Sequence, residues 1–201
     1  TDWFKETLRT WSPQSDANVS ISGGAEKVKY FVSLSTKNQE AFYKNTGANY
    51  KQYDLKGNLD ISVNKYIDVY TYLTARMEDR KYPTRSSENI FRMIMRSKPN
   101  SPAYWPDGTP GPDVEFGDNP VVICTNATGY DRDKRYTYNA DLGINIKIPG
   151  VEGLSVKATA SLDKFNQFNK TWQTPWYLYS WDGSRDSSGN PVLTSGKKGF
   201  T

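Results

Sequence analysis

Histidine is absent from this 201-residue chain, and cysteine occurs once, at Cys124. Histidine-based triads, histidine metal sites, cysteine-cluster zinc sites and an internal disulfide are all excluded at once. No run approaches the ~20 consecutive apolar residues of a membrane helix, and no signal peptide is present. The chain starts at Thr1 without Met, so it reads as a piece of something longer, and a missing signal carries no information on compartment. Apolar residues are scarce, at 36% against roughly 45–50% in typical globular domains. Excess charge is scarce too: 26 basic residues face 22 acidic ones, a formal net charge of +4. The basic residues are scattered along the sequence, which argues against a nucleic-acid partner.

Catalytic signatures are missing as well. There is no nucleophile–base pair, no metal-ligand spacing and no glycine loop that cradles phosphate; "GGAEK" (23–27) is a turn. The expectation is a protein that is not an enzyme and carries no cofactor or metal. "DGSRDSSGN" (182–190) offers oxygen ligands, but Leu193 stands where a calcium-binding EF-hand requires glutamate. Cys124, in "NPVVICTN", is expected to be a small semi-buried side chain.

What the sequence does contain is period-two alternation over long distances. In "YTYNADLGINIKI", Tyr136, Tyr138, Ala140, Leu142, Ile144, Ile146 and Ile148 alternate with Thr137, Asn139, Asp141, Gly143, Asn145 and Lys147. That is a long strand with one greasy face. The same pattern recurs in six segments, at about 17–22, 28–37, 51–63, 66–79, 135–148 and 154–166. Five of them are longer than the usual ~5–6 residues of soluble strands. Tight turns at 23–27, 64–66 and 149–153 alternate strictly with long polar connections at 38–50, 80–134 and 168–201. All short turns should therefore lie at one end of the sheet and all long loops at the other. Within the largest loop, "SSENIFRMIMRSK" predicts a short amphipathic helix capped by Ser86 or Ser87, with Ile90, Phe91, Ile94 and Met95 on one face.

The two strand faces differ in chemistry. Leu55, Leu59, Ile61, Val69, Leu73, Leu142, Ile144, Val156 and Ala158 are expected on one face. Asp54, Lys56, Asp60, Asp68, Arg76, Asp141, Lys147 and Lys157 fall on the other. A mid-membrane Lys or Arg on a lipid-facing strand costs ~2–4 kcal/mol, so this segregation fits an all-β, antiparallel up-and-down meander forming part of a transmembrane β-barrel. Tyr53, Tyr66, Tyr136 and Tyr138 lie near strand ends, as an aromatic girdle requires. The alternative is a soluble, secreted β-sandwich that binds carbohydrate. Its inner face would normally contain Phe and Trp, whereas the apolar face here has Ala and Thr and no Trp.

Several stretches also resemble the SusC/RagA family of TonB-dependent outer-membrane transporters. They are the opening "TDWF", "NVSISGGAEKVKYFVSLSTKNQEAFYKN", "YDLKGNLDISVNKYIDV" and "YWPDGT…NPV", which in this order span most of residues 1–165. The resemblance implies a barrel of about 22 strands with a plugged lumen, in the cell outer membrane of a Gram-negative, Bacteroidetes-type bacterium. It implies import of oligosaccharides, or sometimes peptides, energised by TonB, with a SusD-like surface lipoprotein as lid. Residues 1–201 would be one partial barrel domain, an early portion after the plug, without the plug or the TonB box.

Loop aromatics are the candidate ligand contacts: Tyr104, Trp105, Trp172, Trp176, Tyr177, Tyr179 and Trp181. Flat rings stack on the apolar faces of sugars, and nearby Asp and Asn bind hydroxyls. The expected substrate is a glycan, with peptide as the alternative. Alone in water, such a piece is expected to self-associate, because its apolar face has no lipid and its sheet edges are unpaired.

Overall fold

The computed structural model describes residues 1–115 and 117–199. Six long strands follow one another in antiparallel order: β1 Gln14–Ala25, β2 Val28–Glu40, β3 Asn49–Asn64, β4 Ile67–Tyr82, β5 Gly129–Lys147 and β6 Ser155–Gln173. The sheet is open, with β1 and β6 at its edges. A separate hairpin pairs β7 (Trp176–Arg185) with β8 (Pro191–Lys198). Among the described residues three short α-helices lie outside the sheet: α1 Trp3–Thr7 ahead of β1, and α2 Ser87–Arg96 and α3 Pro120–Ile123 between β4 and β5.

The turns have local causes. At the β3–β4 turn, Asn64 Oδ1 accepts from the amides of Tyr66 (2.8 Å) and Ile67 (3.1 Å), closing the chain over two residues. The β5–β6 turn bends through Gly150 and Gly153, both at positive φ (85° and 79°), where a side chain would be strained. Pairing of Ala25 with Val28, Val28 with Ile61, Val69 with Ile144 and Ile67 with Ile146 puts all three short turns at one end. The meander is the one its alternation predicts.

Strand ends differ from the sequence reading. β5 begins at Gly129 rather than 135, β6 runs on to Gln173 rather than 166, and β4 reaches Tyr82. In these extensions ("GYDRDKR", "NQFNKTWQ") one face is polar and the other mixes Lys and Arg with Tyr130, Phe168 and Trp172, so main-chain pairing continues without a regular apolar alternation to reveal it. The loops shrink accordingly, and the segment 168–201 holds the end of β6 and the β7–β8 hairpin; its last two residues lie outside the described residues.

Strand pairing arranges the apolar face in rows. One row runs Ile21, Val32, Gly57, Leu73, Ala140, Leu162; the next toward the turns runs Gly23, Tyr30, Leu59, Thr71, Leu142, Ala160. Nearer the loops stand Val19, Leu34, Leu55, Ala75, Tyr138 and Lys164, then Ala17, Thr36, Tyr53, Met77, Tyr136 and Asn166. Among the described residues no protein layer covers these side chains: Leu34 and Leu142 are each 58% exposed and Leu162 68%. A sandwich would bury them under a second sheet, so that alternative is set aside. The opposite face is a polar lattice. Asp54 accepts from Arg76 (2.6 Å), Gln52 (2.6 Å) and Ser35 (3.2 Å), and Asp133 accepts from Gln167 (2.9 Å). On this face the Tyr70 ring lies across Gly143, its cross-strand partner, and the hydroxyl reaches Thr159 Oγ1 (2.7 Å).

The buried core lies elsewhere, in the long connections. Trp3, Tyr43, Ile90, Met93, Ile94, Ala103, Val121–Cys124, Trp176 and Leu178 pack together as a cap at the loop end. α2 is capped by Ser86 and buries Ile90, Met93 and Ile94. Met95, expected on that face, is 75% exposed instead, because the 90/93/94 stripe alone meets α1 and α3. α3 starts at Asn119, whose side chain accepts from the Val121 amide, with Pro120 in the first turn. Cys124 is fully buried rather than semi-buried, since it ends the apolar run that α3 drives into the cap.

Candidate functional site

The cap is fastened by polar contacts between distant segments. Trp3 Nε1 donates to Lys98 O (2.9 Å), Asn119 Nδ2 to Pro112 O (2.9 Å), and Arg85 and Arg96 pair with Asp118 and Glu115 (2.7 Å each). On this base stands the β7–β8 hairpin. Alternate residues of β7 point opposite ways: Trp176 and Leu178 go into the cap core, while Tyr177, Tyr179 and Trp181 face away from it. A short turn from the largest loop, 104–110, meets the outer side. Trp105 Nε1 donates to the Tyr179 carbonyl (2.8 Å), and the rings of Trp105 and Trp181 meet edge-to-face at 6.3 Å.

Charge borders these rings. The Arg185 guanidinium lies 5.1 Å from the Trp181 centroid and donates to Gly189 O (2.7 Å). Asp107, in the same turn as Trp105, accepts from the amide (3.0 Å) and hydroxyl (2.7 Å) of Thr109, which hold its carboxyl below the usual range. Asp182, beside Trp181, is lowered in the same way by Ser184, and Asp186 by the amides of Asn190, Ser188 and Gly189. In "DGSRDSSGN" these carboxylates thus serve their own turns. Among the described residues no group of three or more acidic, cysteine or histidine side chains is placed to hold a metal ion.

The structure sorts the candidate aromatics into different places. Trp105, Tyr179 and Trp181 come together, and Tyr177 is 45% exposed on the same face of β7. Tyr104 is exposed but looks another way, toward Glu6 and Cys124; desolvation raises its hydroxyl pKa, helped by the Glu6 charge. Two residues are corrected. Trp176 is a buried cap residue, because period two along β7 turns it inward. Trp172 is not in a loop: it lies in β6 opposite Tyr130, on the outward face of the sheet. Arg185 was missed by the sequence reading; its place four residues after Trp181, across a turn rich in Gly and Asp, was the available signal.

No family model matches the chain. A curated relative, TonB-dependent receptor P26 of Formosa agariphila, is 40% identical over 210 residues, covering 99% of this chain and 19% of the relative. The chain thus spans about a fifth of the length of the curated relative it matches. Two solved structures of the RagAB peptide importer share the fold. The open–open state gives a TM-score of 0.62 at 18% identity, and the closed–closed state 0.56 at 21%; each covers 87% of this chain and 20% of the importer chain. The chain belongs to the TonB-dependent receptors. Within such a receptor its six strands form an open section of wall, and the loop cap with its aromatic cluster stands at one rim.

Proposed function

We propose that this receptor segment is part of the wall of an outer-membrane nutrient importer. Its apolar face touches lipid, its polar lattice faces the lumen, and its cap lies outside the cell, where barrel loops are long. The charge-free outward band supports this reading most. Along β4 it runs from Ile67 to Met77 before Asp79 appears, ten steps of roughly 3.3 Å, which at a strand tilt of about 40° span the ~25 Å apolar band of a transmembrane barrel. The first charge on this face comes at Glu40 in β2, Lys51 in β3, Asp79 in β4, Lys134 in β5 and Lys164 in β6. The boundary is level across β3, β4 and β5, where Lys51, Asp79 and Lys134 share one row; it lies one row nearer the loops in β2 and two rows nearer the turns in β6. Spin labels at Leu142 and Asp141 in the whole receptor test the reading. The Leu142 label should collide with oxygen and be shielded from a water-soluble nickel chelate, and the Asp141 label the reverse. Equal chelate access at both sites would sink it.

The cargo we assign is an oligosaccharide, held by the Trp105–Trp181 cluster with Asp107 and Asp182 as acceptors for hydroxyls, under a SusD-like lipoprotein lid and with energy from TonB. The paired tryptophans, edge-to-face at 6.3 Å, and the ionised acceptors beside them support a sugar. A peptide is the second reading, because the RagAB neighbours are a peptide importer. Titration calorimetry of the whole receptor with its lid protein against glycans and oligopeptides separates them. Tight binding of peptides with none of glycans overturns the glycan assignment.

A further inference from the structure

Basic residues that are scattered along the sequence are gathered by the strand register. Lys81 of β4 stands opposite Arg132 of β5, and Arg132 opposite Lys170 of β6. One row nearer the turns, Lys51, Asp79, Lys134 and Phe168 stand side by side. Five cations therefore face outward around Asp79, and Glu40, in the same row as Lys81, is already paired with Arg9; the excess of four equals the formal net charge of +4 of the whole chain. All the rest of the molecule sums to neutral. Asp79 is already engaged by Arg132, through Nε at 2.8 Å and through Nη2. Like charges directly opposite on neighbouring strands repel, so this arrangement is destabilising until an anion joins it.

The position of the patch selects the anion. It lies immediately beyond the charge-free band, at the level of a lipid headgroup. Aromatic rings flank it: Lys81 Nζ is 5.3 Å from the Tyr130 centroid, and Lys170 Nζ is 6.0 Å from that of Trp172. Toward the turns it opens onto an apolar groove of about 740 Å³ whose lining includes Val19, Leu34, Leu55, Ala75, Met77 and Tyr138, a shape that suits an acyl chain. We propose that this patch binds the phosphate of an anionic lipid headgroup in the outer leaflet, with the acyl chain of the same lipid in the groove. The assignment rests on the reading of the sheet as a membrane wall with its loop end outside.

The whole receptor in detergent, with bis-phosphorylated lipid A as probe and its dephosphorylated form as control, tests it by native mass spectrometry. Each lysine near an anionic surface contributes roughly five-fold in affinity, so Lys81→Gln with Lys170→Gln should weaken lipid A binding about 25-fold. Lys27→Gln with Lys65→Gln, at the turn end, should leave it unchanged. The dephosphorylated lipid should bind far more weakly, and inorganic phosphate at the same concentration should not displace the probe. Unchanged binding by the first variant, equal binding of the dephosphorylated lipid, or displacement by free phosphate overturns the proposal. The spin label at Leu142 separates the two readings. If it faces lipid while phosphate makes no difference, the headgroup site alone fails; if it faces water, both fail.

Discussion

Substituting Gly57 by arginine tests the wall reading with no loss of packing, because glycine contributes no side chain and a Cβ there meets nothing within 4 Å. Gly57 sits in the row between Val32 and Leu73. The first outward charge on its strand is Lys51, six residues away, or roughly 20 Å along the strand. On the flanking strands Asp79 and Glu40 are no nearer in row. Tilt reduces the distance to about 15 Å of depth, beyond the reach of an arginine side chain snorkelling to water. Arginine here should therefore cost the mid-membrane ~2–4 kcal/mol, a roughly 30- to 1,000-fold fall in the folded-to-unfolded ratio. The same substitution at Tyr53 lies two residues from Lys51, where the charge cost falls to ~0–1 kcal/mol. Asn58→Arg, on the polar face, should show no depth penalty. The assay is denaturant unfolding of the whole receptor in phospholipid vesicles, with the folded fraction read by gel mobility without heating. If Gly57→Arg and Asn58→Arg cost the same, or if arginine costs as much at 53 as at 57, the outward face does not meet a bilayer core.

Trp105→Ala and Trp181→Ala should each weaken glycan binding at least several-fold with folding intact. Trp176→Ala should instead destabilise the cap by ~3–5 kcal/mol, as truncation of a buried tryptophan does; calorimetry with thermal melts separates the effects, and a Trp176→Ala protein that melts like wild type would refute its burial. Burial pushes the Cys124 thiol up to about 12, so at neutral pH it should react with a maleimide only after denaturation, and fast labelling of the native receptor would contradict this. Segment 1–201 made alone in water should form dimers or larger species, since its outward face far exceeds the few hundred Å² a soluble monomer exposes; a monodisperse monomer by light scattering would rule that out.

Sequence legibility followed the solvent. Where strands meet lipid on one side and a polar lattice on the other, as in 136–148, alternation is forced and the sheet could be read from the sequence. Where both sides are wet, as in Gly129–Arg135, nothing constrains the pattern, and the strand was read as loop. The opposite failure occurred in β7. Trp176 and Leu178 pack inward while Tyr177, Tyr179 and Trp181 point outward, so both faces are greasy and period two disappears into an aromatic run. The rings could be picked out as a group, but not divided into core and surface. Of the cap core, the apolar stripe of α2 with Ile90 and Ile94 could be read, but not what it packs against, because the members of the core are separated by up to 175 residues, from Trp3 to Leu178.

Because the packed core sits in the loops and not in the sheet, the two halves of this segment should drift differently through evolution. In the cap, Ile90 and Ile123 are wholly enclosed, and any change of side-chain volume there leaves a void or a clash. On the wall, fluid acyl chains fill whatever space a smaller residue vacates, so Leu142 can become Val, Ala or Phe with no partner to object. The wall is therefore tolerant of shape and strict about charge, and the cap the reverse. A lineage can then reshape the outline of the cap only by coordinated changes, while the bilayer holds the strand pattern beneath it nearly constant.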